Sequence, residues 1–236
     1  MQPRSGGQDG EDDRAPHGGP PIPPGVEARQ LAPEVRRELS TLDRATADAV
    51  ARHLVAAGEL IDEDPEAALS HARAARARSS RIAAVREAVG IAAYHCGDWA
   101  QALAELRAAR RMGSKSPLLA LIADCERGLG RPERAIELAR GEEAAQLSGD
   151  DADELRIVAA GARADLGQLE QALTLLSTPQ LDPSRNGSTA ARLFYAYADT
   201  LLALGRNDEA LQWFLRSAAA DVEGVTDAEE RVSELG

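Results

Sequence analysis

The sequence is poor in aromatic residues, cysteine and lysine, and it contains no long apolar run. Aromatics are 3% of 236 residues. Pleated sheets are built from aromatic and β-branched side chains, so an all-β chain is disfavoured. Packing must instead rest on Ala, Leu, Val and Ile, which suit closely approaching helices. The two cysteines, Cys96 and Cys125, have neither a Cys-x-x-Cys spacing nor a neighbouring His cluster. That excludes a metal site or a disulfide framework, and both read as buried free thiols in a reducing compartment. Lysine occurs once, at Lys115. So complete a bias towards Arg reflects the codon usage of a high-GC genome, and single arginines are therefore not read as ligands. No stretch of about 18 apolar residues appears, and Met1 to Gly10 lacks the apolar core of a signal peptide. A cytoplasmic protein with no membrane segment is expected.

What the chain has instead is acid and helical punctuation. The formal net charge of -12 disfavours non-specific binding to nucleic acid or to anionic membranes and favours a basic partner surface. Residues 1–30 hold six of the twelve prolines and the acidic cluster Asp9, Glu11, Asp12 and Asp13. Such a segment has little apolar surface to offset its ordering entropy. It is expected to be a disordered tail, with Pro20, Pro21, Pro23 and Pro24 in polyproline II. From about residue 33 the pattern is helical, with apolar residues three and four apart. Asp64-Pro65 gives an N-cap followed by Pro in the first turn, and Asp98 with Gln101 reads as a capping box. Gly130-Arg131-Pro132, Gly167 and Gly205 end one helix before the next begins. The chain is a series of helical hairpins.

An internal period runs through them. The small residue after each turn falls at Ala68, Ala102, Ala135, Ala172 and Ala210, with spacings of 34, 33, 37 and 38. Between Ala83 and Met112, the residues Gly90, Tyr94, Gly97, Asp98, Trp99, Ala102, Leu106 and Ala109 put small side chains where two helix backbones meet and large ones between them. Ala198, Gly205, Ala210 and Phe214 repeat the scheme, with weaker copies at Ala123, Gly130 and Ala135 and at Ala160, Gly167, Ala172 and Leu176. The first unit carries Glu63 where the turn Gly would stand. This pattern resembles the tetratricopeptide repeat (TPR). The segments LIDEDPEAA, ADCERGLGRPERA, VAAGARADLGQL and ARLFYAYADTLLALGR are further similar to a family of TPR proteins from high-GC bacteria. That family has a variable N-terminal tail and no activity attached to it.

The resemblance implies an all-α protein, a right-handed α-α superhelix of about five helical hairpins. The units would span 43–78, 81–112, 116–147, 152–178 and 188–220 within a domain of 31–236. Capping helices close both ends: one carries Val35, Leu39 and Leu42, and the other spans 226–235 with a Thr226/Glu229 capping box and a stripe of Ala228, Val232 and Leu235.

No catalytic constellation accompanies the repeats. His17, His53, His71 and His95 show no metal or nucleophile spacing, and GLGRPE from Gly128 lacks the strand and third glycine of a dinucleotide loop. Asp62, Glu63 and Asp64 lack the spacing of a Ca²⁺ loop. A non-enzyme without cofactor or metal is expected. In TPR proteins the first helix of each hairpin lines a concave groove. Carrying over its inward positions gives His53, Glu87, Ile91, Tyr94, His95, Asp124, Arg127, Arg192, Tyr195 and Asp199 as candidate contacts for a peptide. The clamp for acidic chaperone C-termini is not implied, because its positions hold His53, Ala57, Ile91, Pro117 and Leu121. Five of the seven aromatics, Phe194, Tyr195, Tyr197, Trp213 and Phe214, lie in the last hairpin and read as core.

Residues 71–115 hold eight Arg and one Lys against three acids. This local excess of positive charge either pairs with acidic neighbours or forms a basic patch on the outer helices. The expected function is a protein-interaction scaffold with a protein or peptide partner, leaving homo-oligomerisation open. Association with RNA or the ribosome through the Arg-rich patch is the alternative, against which the overall acidity and sparse aromatics weigh.

Overall fold

The computed structural model describes residues 19–177 and 181–236. Among them the chain is all-helical. A short helix α1 (Pro33–Leu39) precedes five antiparallel hairpins. These are α2 (Arg44–Leu60) with α3 (Pro65–Arg78), α4 (Ala83–His95) with α5 (Trp99–Arg111), and α6 (Leu119–Gly128) with α7 (Pro132–Ala139). They continue with α8 (Gly149–Asp165) and α9 (Leu169–Ser177), then α10 (Ser188–Ala203) and α11 (Asn207–Ala220), and α12 (Ala228–Leu235) closes the array.

Each hairpin is built around its periodic alanine. Ala68, Ala102, Ala135, Ala172 and Ala210 have no exposed surface, because a methyl group is all that fits where two helices cross at short range. The clearest crossing is in the second hairpin. A Cβ on Gly90 of α4 would stand 2.7 Å from Leu106 of α5, so the absence of a side chain on one helix is filled by a fully buried leucine from the other.

The turns repeat as well. Gly97, Gly130, Gly167 and Gly205 take φ of 71, 71, 70 and 75°. The residue after each donates to a carbonyl five back, as in Asp98 N to Ala93 O (2.9 Å) and Arg131 N to Glu126 O (2.9 Å). This is the Schellman arrangement, which needs a left-handed residue and therefore glycine. The first hairpin has no such glycine and turns differently. Residues 61–64 insert one extra position, and Asp64 N bonds Leu60 O at 2.8 Å. Asp64 and Asp98 then cap the following helices, accepting from Ala67 N (3.0 Å) and Gln101 N (3.1 Å). The second half of the expected box at Asp98 does not form, since the Gln101 amide bonds Arg73 instead.

First helices pack on their successors, α2 on α4, α6 on α8 and α8 on α10, whereas successive second helices lack comparable contact. The stack therefore closes on the first-helix side, forming an α-α superhelix whose inner face those helices line. Phe194 and Phe214 are fully buried in the last hairpin, with Tyr195 edge-on to Phe214 at 5.2 Å and Tyr197 edge-on to Trp213 at 5.1 Å.

The ends differ from expectation in three respects. The tail was expected to be disordered over residues 1–30; residues 1–18 lie outside the described residues, but 19–30 pack on the first hairpin. Val26 is buried with Val55 and Ala56, flanked by Ile22 and Leu31, an apolar set hidden among the prolines. Polyproline II does not run through this segment. Pro24 and Gly25 form a reverse turn, with Val26 N bonding Pro23 O at 3.3 Å and Gly25 at φ 87°, the conformation that Pro-Gly favours. Finally, Thr226 does not cap α12. Its hydroxyl and amide donate to Asp221 Oδ2 at 2.6 and 2.7 Å, because the α11–α12 loop brings that carboxylate nearer. Ala228 is still buried, and Val232 and Leu235 pack on the last hairpin.

Ala102→Arg is expected to destabilise the array by several kcal/mol, since overpacking and burial of an unpaired charge each cost on the order of a few kcal/mol. Thermal melting followed by circular dichroism checks this, and an unchanged transition would contradict the crossing.

Candidate functional site

The inner face begins with α4, where Glu87, Ile91 and Tyr94 recur at helical spacing and share one side. Glu87 and Ile91, together with α1 and the 112–116 loop, wall a cleft of about 860 Å³. Leu31, Val35, Ile91 and Met112 supply its apolar lining, with Arg37, Arg81, Lys115, Glu34, Glu38 and Glu87 also in the wall. Glu87 accepts from the Ser114 and Ser116 hydroxyls at 2.8 and 2.7 Å, fixing the loop. Glu38 of α1 accepts from Ala84 N at 3.2 Å, fixing the other wall.

Further along, four side chains from successive first helices form a chain of hydrogen bonds. The Tyr94 hydroxyl donates to Asp124 Oδ2 (2.5 Å), and Arg127 donates through Nη1 to Asp124 Oδ1 (2.8 Å). Arg127 also donates through Nε and Nη2 to the two oxygens of Asp165 on α8 (2.8 and 3.2 Å). Burial and the Asp124 carboxylate push the Tyr94 hydroxyl well above the usual phenol range. Burial works against the charge of Arg127, but Asp165 and Asp124 more than offset it and hold the guanidinium charged. Its flat head lies on Gly161 of α8, where a Cβ would come within 2.7 Å of Cζ. The absent side chain there leaves room for a bidentate pair between neighbouring hairpins. His95 is exposed, with its ring edge-on to Tyr94 at 5.9 Å.

The remaining candidates are more widely separated. Arg192 of α10 pairs with Glu154 of α8. Tyr195 and Asp199 lie beside α12: burial and Asp227 push the Tyr195 hydroxyl up to about 12, and the exposed Asp199 pairs with Arg231 at 3.3 Å. His53 does not face the groove. It is 3% exposed inside the first hairpin, its Nδ1 3.0 Å from Nδ1 of the equally buried His71. Gly19 lies over it, so the N-terminal segment and α3 cover this side of α2. At that distance one ring must donate and the other accept, which requires at least one neutral imidazole. Burial, aided by Arg78, His71 and Arg52, lowers His53 to about 4, and burial also lowers His71.

The Arg-rich stretch is largely consumed internally. Glu105 of α5, 5% exposed, is held between Arg76 of α3 (2.6 Å) and Arg86 of α4 (2.8 Å). Glu126 of α6, 3% exposed, takes Arg107 (2.6 Å) and Arg131 (3.5 Å). Asp153 of α8 takes Arg156 and Arg185. These buried carboxylates were not singled out from the sequence. The usable signal was that Glu105 follows Ala102 by three residues and so shares its buried face. Arg111 and Lys115 remain exposed at the end of the stretch.

Cys125 is buried and pushed up to about 12 by that burial, while Cys96 is only half-buried. Among the described residues no three His, Cys, Asp or Glu side chains are grouped to hold a metal ion, and no helix is long and apolar enough to cross a membrane.

A family model described as Tetratrico peptide repeat matches residues 117–226. The crystal structure of YrrB, a TPR protein with an unusual peptide-binding site, is similar to the chain at 18% identity and a TM-score of 0.48, covering 84% of this chain and 97% of that one. No curated protein sequence matches.

The histidine pair makes stability pH-dependent. In the unfolded chain both imidazoles take a proton near their ordinary value of 6.5, whereas folded His53 resists until about 4. The unfolded state therefore binds more protons in this window, and stability falls as pH drops from 6.5 towards 4. Melting temperature should decline between pH 7 and 5 more steeply in the native chain than in a His53→Gln/His71→Gln variant; equal slopes would contradict the pair.

Proposed function

We propose that the chain is a non-enzymatic scaffold that binds a peptide or protein segment along its inner face. One observation supports this best. The cleft between α1, α4 and the 112–116 loop is open, partly apolar and rimmed with charge, and its walls are fixed by Glu38 and Glu87 rather than by a ligand. Such a surface suits an extended or helical segment that anchors apolar side chains. The match of residues 117–226 to a repeat family supports the same reading. Farther along the face, a ligand would meet Tyr94, Asp124 and Arg127 already bonded to one another, so these three act as a rigid floor more than as free contacts. The Arg-rich patch is the weaker basis for binding RNA, because Arg76, Arg86, Arg107 and Arg110 are tied to Glu105, Glu126 and Glu143.

Affinity purification from the native cell identifies the bound protein, and variants then locate the surface. Ile91→Glu with Met112→Glu is expected to weaken capture at least about tenfold, as charge replaces two apolar anchors, while leaving the helical signal intact. Arg111→Glu on the outer side should leave capture unchanged. Loss of binding with Arg111→Glu alone, together with RNA in the purified complex, would favour the basic patch instead.

A further inference from the structure

A second surface lies on the opposite side of the stack. Helix α7 has 8 residues, whereas the second helices α3, α5 and α11 have 14, 13 and 14. At 1.5 Å per residue it stops roughly 8 Å short of those three, and α9 beside it, described over 9 residues, is similarly short. The chain leaves α7 at Arg140 and Gly141 and crosses to α8 through a single 3-10 turn, Ala144–Gln146. Helix α8 beneath it runs 17 residues, and its Ala152, Leu155, Arg156, Ala159 and Arg163 form the half-buried to buried base of the opening. The result is a cleft of about 570 Å³ between α7, α8 and α9, a volume within the range of ligand and peptide sites.

Its chemistry is one-sided. Ile136, Leu147, Leu155, Ala159 and Leu175 give it an apolar floor, and Leu175 is 38% exposed, one of few large apolar side chains left that open. The charged residues lining it are Arg140, Arg156 and Arg163, with no acid among the described residues, in a chain of net charge -12. Arg156 is paired with Asp153, and Arg163 donates to Gln168. Arg140 is exposed, and its side chain makes neither a hydrogen bond nor an ion pair with a described residue.

We propose that this outer cleft binds a short amphipathic helix of a partner protein, with apolar side chains on Leu147 and Leu175 and a carboxylate on Arg140. The shortened α7 leaves room for about one and a half turns of helix, enough for anchors three or four residues apart. The overall negative field opposes an acidic ligand at long range, so recognition depends on the short-range Arg140 contact and on apolar burial. The site is separate from the inner face.

The test uses the full chain and a fluorescein-labelled, end-capped peptide of about 12 residues, long enough to sample a helix. One peptide carries a Leu stripe flanked by Glu, and its counterpart has every Glu replaced by Lys. Fluorescence anisotropy should show binding of the Glu peptide, at least about tenfold stronger than that of the Lys peptide. Arg140→Glu should weaken it by a similar factor, and Leu175→Asp should abolish it, while the Ile91→Glu/Met112→Glu variant should leave it unchanged. Both cleft side chains are exposed, so melting should not shift; should Leu175→Asp melt early, Leu175→Gln takes its place. Equal binding of the two peptides, no binding of the Glu peptide, or unaltered binding by Arg140→Glu would overturn the proposal. Self-association of the native chain in sedimentation that Leu175→Asp removes would also overturn it, by giving the cleft to a second copy.

Discussion

The close approach of paired helices at Ala68, Ala102, Ala135, Ala172 and Ala210 is the constraint on which the rest depends. With no exposed surface at any of the five, each hairpin is held at a separation that only a methyl group permits, and dispersion contacts accumulate along the seam. The turn must then return the chain within that distance. Four hairpins do so with a left-handed glycine, and the first does so with one more residue. First helices then stack in the pairs α2 with α4, α6 with α8 and α8 with α10, while α4 and α6 are joined through the Tyr94–Asp124 hydrogen bond.

Charge is organised around the same seams. A buried carboxylate is costly unless it is paired and hydrogen-bonded, and losing one partner of such a group costs about 3–5 kcal/mol. Glu105 and Glu126 are each bracketed by arginines from neighbouring elements, so they join hairpins as well as charge. An array whose repeats touch only their neighbours gains from such cross-links, since stability is set interface by interface. Much of the positive excess at 71–115 is thereby used inside the fold. What remains for a partner is smaller than the sequence count suggests.

The two faces present different surfaces. Inside, the Tyr94, Asp124, Arg127 and Asp165 network satisfies its own members, and the open space is the apolar-lined cleft beside α1. Outside, the short α7 borders a cleft against α8 and α9 and leaves Arg140 facing solvent. In both places the opening arises where a regular hairpin is interrupted: by the α5–α6 loop and α1 on one side, by a truncated second helix on the other.

The sequence by itself determined the repeat. A methyl-sized residue every 33 to 38 positions, preceded by a turn glycine in four of the five hairpins, is a local pattern with a local physical cause, so period, helix pairing and fold class could be read directly. Of the last-hairpin aromatics read as core, Phe194 and Phe214 are fully buried, while Tyr195, Tyr197 and Trp213 are half-buried. Tertiary structure alone decided which polar side chains face outward. His53 and Glu87 occupy similar positions on first helices, yet one is buried under Gly19 and against His71 while the other binds Ser114 and Ser116. Their partners come from segments far along the chain, whose approach no spacing encodes. The ordered stretch 19–30 was misread for a related reason: three apolar residues among prolines carry weight only when a preformed hairpin offers Val55 and Ala56 to receive them. Periodicity records what each helix does to its neighbour in the chain, whereas burial and ion pairing depend on surfaces that exist only after the hairpins have stacked.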